Sequence, residues 1–148
     1  MRHVGFTGSR SGMTEYQKDR FLELFSKFWH KSAGLVCFHH GDCLGADTEA
    51  HKIVKDIIGK QNIVIYPGHP YNPFREPWRG YNEAGVVQKS KPFLVRNKNI
   101  VKQSDIVIAT PKERTEILRS GTWATIRYAK KNKTHVIIIY PEGEVKEW

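Results

Sequence analysis

The sequence is poor in cysteine and methionine, is short of acidic side chains relative to basic ones, and has no long apolar run. Two cysteines, Cys37 and Cys43, in 148 residues cannot build a disulfide framework, and they fit a reducing compartment. Cys37 lies in an apolar run and reads as a reduced buried thiol; Cys43 falls in the Gly-rich turn that follows. His39, His40, His51 and His69 have no accompanying Cys or His pair at zinc-site spacing, so no metal is expected. No apolar stretch approaches the ~20 residues of a membrane span, and no charged-then-apolar leader is present. A soluble, cytoplasmic protein without a membrane partner is therefore expected. The shortage of acid, 15 Asp plus Glu against 24 Lys plus Arg, leaves a net charge of +9. That excess suits nucleic acid or a basic nucleotide pocket equally well. Part of it, Lys130-Lys131-Asn132-Lys133, sits where a helix end would welcome cations.

What is present is a regular alternation of apolar runs and amphipathic segments. Five β-type runs stand out: His3 to Phe6, Leu35 to Phe38, Ile63 to Tyr66, Asp105 to Ala109 and His135 to Tyr140. Ile106-Val107-Ile108 and Val136-Ile137-Ile138-Ile139 are continuous rather than alternating, as in strands covered on both faces. Helical patterns lie between them. Glu15 to His30 carries Phe21, Leu22, Leu24, Phe25, Phe28 and Trp29 at helical spacing, with Thr14 and Gln17 placed as a capping box. Ala46 to Ile58 is a second helix, stopped by Gly59; Ile100 to Gln103 and Thr122 to Lys131 supply two more. The pattern predicts one α/β domain over residues 1–148: a single Rossmann-like unit with a five-stranded, mainly parallel sheet and helices on both faces. At this length a chain buries about two-thirds of its unfolded surface.

Pro67 to Phe93 breaks the rhythm. Five prolines in it forbid a long helix or a central strand, which predicts a long loop rich in Pro and aromatic residues. Tyr71, Phe74, Trp78 and Tyr81, with Arg75 and Arg79, either meet a base or phosphate or cover a sheet edge or dimer contact.

In open parallel sheets ligands bind beyond the carboxyl ends of the strands, and three turns fall there. Thr7-Gly8-Ser9-Arg10 offers a close backbone approach, a hydroxyl and a bidentate phosphate donor. Gly41-Asp42-Cys43-Leu44-Gly45-Ala46-Asp47 leads into a helix; Asp42 and Asp47 suit ribose hydroxyls or a base edge. His51 lies four residues after Asp47 and reads as packed or paired with it. Arg96-Asn97 and Ser120-Gly121-Thr122 complete the set, the latter at a helix start whose N–H groups and dipole favour an anion. Gly8, Ser9, Arg10, Gly41, Asp42, Gly45, Asp47, Arg96, Asn97, Ser120, Gly121 and Thr122 are the candidate ligand-binding residues.

The order TGSR, HHGDCLGADTEAH, VRNKNIVKQSDIVIAT and SGTWATIRYA resembles the SLOG superfamily. That Rossmann-like group includes small YspA-like proteins, the lonely-guy (LOG) phosphoribohydrolases and the DNA-processing protein A family. The resemblance runs from Gly5 to Tyr140. GADTEAH is similar to the Gly-x-Asp-x-x-Ala-His segment of DNA-processing protein A, and RNKNIV to that family's Arg-Asn-Arg helix start. It implies a domain for nucleotides or nucleotide-derived ligands, with Gly8, Ser9, Arg96, Asn97, Gly121 and Thr122 on phosphate and sugar. Gly45 and Asp47 would form the adjacent wall, and subunits would pair as a homodimer or higher oligomer. The chain departs from the LOG signature Pro-Gly-Gly-x-Gly-Thr-x-x-Glu at its glutamate, where Thr125 stands. Cleavage of an N-glycosidic bond needs a carboxylate, for which Asp47, Glu113 or Glu116 would have to substitute. Catalytic residues are thus not assigned, and no cofactor is expected. Three readings follow: a binding or sensing domain for a phosphorylated nucleotide-type ligand, an N-glycosidase on nucleoside monophosphates, and a binder of single-stranded nucleic acid.

Overall fold

The computed structural model describes residues 1–70 and 78–148. Its main sheet is built from β1 (Arg2–Gly8), β2 (Val36–His40), β3 (Ile63–Ile65), and, after the short β4 (Gly68–His69), β5 (Val86–Val87). After β6 (Lys91–Pro92) come β7 (Ile106–Thr110), β8 (His135–Ile139) and β9 (Val145–Glu147). The helices are α1 (Glu15–Lys31), α2 (Ala46–Ile58), α3 (Phe93–Lys102) and α4 (Gly121–Lys131). The sheet order is β5-β3-β2-β1-β7-β8-β9, and β4 and β6 form a separate two-stranded sheet. Every pair in the large sheet is parallel except β8 with β9.

The sheet thus has seven strands, not five. The two extra ones are short, exposed strands at its edges, and neither has the buried apolar run that marks a strand in sequence. The five expected strands are all present. Alternation along them explains why they read as continuous apolar runs. Ile106 and Ile108 pack toward Phe21 and Phe25 of α1 and Val54 of α2, while Val107 and Ala109 pack toward Trp123 and Ile126 of α4. Both faces are covered, so both parities must be apolar.

Local signals hold α1 and α4 at their starts. The Thr14–Gln17 capping box is formed in both directions, and Ser120 Oγ accepts from Trp123 N–H (3.2 Å). Helix α3 begins at Phe93, seven residues before the expected Ile100, because Pro92 sits at its N-cap with φ −51° and launches a helical turn. The expected long loop therefore ends in β6 and α3 rather than running free. Tyr71, Phe74 and Arg75 lie outside the described residues; Trp78 packs on His51 with ring centroids 5.2 Å apart, and Arg79 donates to the Tyr81 hydroxyl (3.0 Å). Among the described residues no helix is long and apolar enough to cross a membrane.

Strand order reverses between β1 and β7. The chain moves outward one way through β2 and β3, and the other way through β8. A crevice opens at the carboxyl ends of the strands at such a switch point.

Candidate functional site

A cleft of about 280 Å³ lies at this switch point. The first turn forms its floor. Gly8 has no room for a side chain, since a Cβ there would meet Thr110 Oγ1 at 2.4 Å and Ala46 Cβ at 2.5 Å. Ser9 N–H donates to Thr110 O (3.3 Å), and Ser9 O accepts from Gly12 and Ala46 N–H (3.1 and 3.0 Å). The turn is thereby fastened to β7 on one side and to α2 on the other.

The β2–α2 turn forms one wall. Gly45 adopts φ 89°, and a Cβ there would lie 2.2 Å from Arg10 O. Its role is close backbone packing onto the first turn, and it does not line the cleft. Asp47 does line it. Its Oδ2 accepts from Gly41 N–H (3.1 Å) and Cys43 N–H (3.3 Å). Burial pushes its carboxyl up to about 6, against the pull of Arg96 and of the two N–H bonds.

Asp42 is turned away from the cleft. It takes φ 59°, and its Oδ1 accepts from Gly80 N–H (2.8 Å) while Oδ2 lies 3.7 Å from Arg79 Nη1. Burial raises its carboxyl to about 6, partly opposed by the Gly80 bond and Arg79. It holds the returning segment against β2. His51 is buried as expected, but its partner is not Asp47: His51 Nδ1 lies 2.9 Å from His40 Nε2. Strand β2 brings a histidine to the α2 face, and the i,i+4 relationship is not used.

Arg96 is 4% exposed. Its Nε donates to Asn97 Oδ1 (2.7 Å), Nη1 to Tyr66 O (3.0 Å) and to Gly41 O, and Nη2 to Cys43 Sγ (3.5 Å). Those bonds use four of its five N–H groups. Arg96 ties α3 to the ends of β2 and β3 and shapes the cleft wall beside Asn97. It is a positioning residue, not a free bidentate clamp.

The opposite wall is the start of α4. Ser120, Gly121, Thr122 and Thr125 line the cleft, and the first helical turn leaves the Gly121 and Thr122 N–H groups without an intrahelical acceptor. A Cβ at Gly121 would meet nothing within 4 Å, so the helix end is open to an incoming group. Thr125 Oγ1 donates to Gly121 O (2.9 Å), one turn back along the helix.

The cleft therefore brings together Gly8, Ser9, Arg10, Gly41, Asp47, Arg96, Asn97, Ser120, Gly121 and Thr122, and leaves out Asp42 and Gly45. Sequence reasoning missed Phe93, which lines the cleft from the head of α3 with Arg10 and Arg96 guanidinium carbons 5.7 and 5.3 Å from its ring centre. Lys112 and Glu113 also line it; Glu113 Oε1 accepts from Trp123 Nε1 (3.0 Å). Glu116 instead pairs with Arg127 (2.6 Å) outside it. The signal for Phe93 was Pro92, read as part of a loop when it opens a helix.

The cleft is lined by the first turn of α4, Lys112 and Arg10, and by Phe93 and Leu94 of α3, with the Arg10 guanidinium against the Phe93 ring. Two carboxyls, Asp47 and Glu113, also line it. On the far side of Arg96, Lys89, Lys91 and Lys102 surround a second hollow of about 300 Å³.

No family model matches the sequence, and no curated protein does. Solved structures similar in fold include those of TM1055 and of a molybdenum cofactor binding protein. The X-ray structure of TM1055, a structural-genomics target, aligns with TM-score 0.64 at 19% identity over 92% of this chain and 72% of its own. The molybdenum cofactor binding protein of the phototrophic bacterium Rippkaea orientalis aligns with TM-score 0.65 at 18% identity, over 94% of this chain and 76% of its own. At these identities the likeness is one of fold: a Rossmann-like α/β domain.

Proposed function

We propose that the switch-point cleft binds a nucleotide or nucleotide-derived phosphorylated ligand, and that the protein is a binding or sensing domain of the SLOG type. The observation that carries this reading is the convergence of three turns on one cleft. The open N-terminus of α4 supplies N–H donors for phosphate, and Arg10 and Lys112 supply positive charge. Phe93 lines the same space with the Arg10 and Arg96 guanidinium groups over its ring, an aromatic–cation surface against which a base can pack. Asp47, protonated below about pH 6, can donate or accept at a hydroxyl or base edge. A similar fold in a molybdenum cofactor binding protein is in keeping with a small-molecule ligand. In this reading the domain works in the cytoplasm and pairs as a homo-oligomer, as the resemblance implies.

A second reading is N-glycosidic cleavage, favoured by the two carboxyls, Asp47 and Glu113, among the residues that line the cleft. The deciding experiment is incubation with nucleoside monophosphates followed by chromatography for free base. Binding without turnover returns the nucleotide intact. Base release that disappears in Asp47→Asn or Glu113→Gln would make the protein an enzyme instead. Binding of single-stranded nucleic acid is the third reading, and would draw on Lys89, Lys91 and Lys102; a gel shift that weakens steeply with salt is its signature.

A further inference from the structure

Beneath α3, on β1 and β2, lies a second constellation of chemistry-bearing side chains. The parallel register sets His3 of β1 beside Cys37 of β2, and His39 two residues along β2. Period-two alternation sends all three side chains to the α3 face. His39 is paired in register with Gly5, whose missing side chain leaves room under α3; a Cβ there would meet Ser104 Oγ at 2.3 Å and Ile100 Cγ2 at 3.2 Å. One ligand atom from each of His3, Cys37 and His39 can be chosen so that all lie within 4.8 Å of one another.

We propose that His3, Cys37 and His39 form a binding site for a single thiophilic divalent metal ion, Zn²⁺ by its chemistry. One thiolate and two imidazoles are donors that favour zinc over magnesium or calcium. In a tetrahedral zinc site, bonds of about 2.0–2.3 Å put ligand atoms roughly 3.3–3.6 Å apart. His3 Nδ1 and His39 Nε2 are 2.9 Å apart here, so an ion between them needs the rings to separate by only a few tenths of an ångström. The outer partner of one ligand is already in place. Tyr66 Oη sits 2.8 Å from His39 Nδ1, which fixes the ring and turns Nε2 toward His3. Asp105 anchors the other histidine's strand, with Oδ2 accepting from His3 N–H (2.8 Å), and adds negative charge at the rim. On ligation Cys37 gives its thiol proton to solvent, and His3 carries its ring proton on Nε2. Three protein donors leave a fourth position, and half-buried His3 opens it to water or an exogenous ligand.

None of the three ligands of this site lines the cleft. His3 and Gly8 are five residues apart on one strand, roughly 16 Å at the rise of a parallel strand. No nucleotide is needed for it, and failure of either reading leaves the other standing.

The test uses Co²⁺ as a spectroscopic probe on the full chain, with Zn²⁺ competition. The expected result is one equivalent bound, with a thiolate-to-cobalt charge-transfer band and tetrahedral d–d bands that Zn²⁺ abolishes. Cys37→Ser removes the charge-transfer band, and His3→Gln lowers affinity at least about tenfold; Cys43→Ser changes neither. His3 is half-buried, so its variant keeps the proposal falsifiable if the buried Cys37 variant fails to fold. Absence of stoichiometric binding by the wild-type chain would overturn the proposal. So would a charge-transfer band that survives in a folded Cys37→Ser, vanishes in Cys43→Ser, or accompanies undiminished affinity in His3→Gln.

Discussion

The guanidinium of Arg96 donates through Nη1 to the carbonyl of Gly41, 55 residues away in the chain. That bond, with the one to Tyr66 O, ties the head of α3 to the ends of β2 and β3 and sets one wall of the cleft. Loss of Arg96 leaves two carbonyls short of a donor and Asp47 without its nearby cation. Arg96→Ala is expected to cost about 3 kcal/mol or more of stability, measured by urea denaturation. Arg96→Lys is expected to recover only part of it, because an ammonium cannot span Gly41 O, Tyr66 O and Asn97 Oδ1 from one planar fork.

Gly45 supports the same wall from outside. Gly45→Ala adds a Cβ against the Arg10 carbonyl at a φ that alanine disfavours, and a loss of roughly 1–3 kcal/mol is expected from equilibrium unfolding. The control is Gly59→Ala, where φ is 76° but no atom lies within 4 Å; it bears the conformational cost alone and loses less.

Asp47 supplies a pH signature. Its folded value is about 6 against 3.8 for the free side chain, so the folded state holds the proton more tightly than the unfolded chain. The stabilising contribution is therefore present at low pH and declines as pH rises from about 3.8 to about 6, with no further change above. Denaturation of wild type and Asp47→Asn at pH 4, 5, 6 and 7 is expected to show wild type losing up to about 3 kcal/mol relative to the variant across that interval. A constant difference would mean that the carboxyl is not raised.

Phe93 is the aromatic surface against which the base packs in the proposed complex. Phe93→Ala is expected to weaken binding of a nucleoside monophosphate by about 1–3 kcal/mol, the range of a lost base–aromatic contact, while binding of inorganic phosphate changes little. Isothermal titration with both ligands separates the aromatic contact from the phosphate contact.

Much of this architecture was legible in the sequence because its central strands are covered on both faces. Ile106 to Ala109 and Val136 to Ile139 could hardly read as anything else, and the turns after them fall at the carboxyl edge by topology alone. The edge strands Val86–Val87 and Val145–Glu147 escaped because exposed strands need no apolar pattern. The start of α3 escaped because Leu94 and Val95 point outward, hiding its amphipathic stripe, and because Pro92 serves as well at a helix start as in a loop. Within the site, glycine and helix-start positions were recoverable from local chemistry. The direction of Asp42 was not, since it depends on one positive φ and on a partner, Gly80, 38 residues away. Nor was the His3–Cys37–His39 group, which exists only once β1 and β2 are in register.

Phosphate binding at the start of α4 is tested most directly by Gly121→Asp. A carboxylate at the first helical position suits the dipole, so stability should hold or rise by roughly 0.3–1 kcal/mol while the anion site is filled and made repulsive. Isothermal titration of nucleoside monophosphates and the matching nucleosides, into wild type and variant, reads both effects. The expected result is saturable binding of at least one monophosphate to wild type, much weaker binding of its nucleoside, and loss of the monophosphate's advantage in a fully folded Gly121→Asp. Equal affinity of wild type and variant, or no phosphorylated ligand bound by wild type, would contradict it.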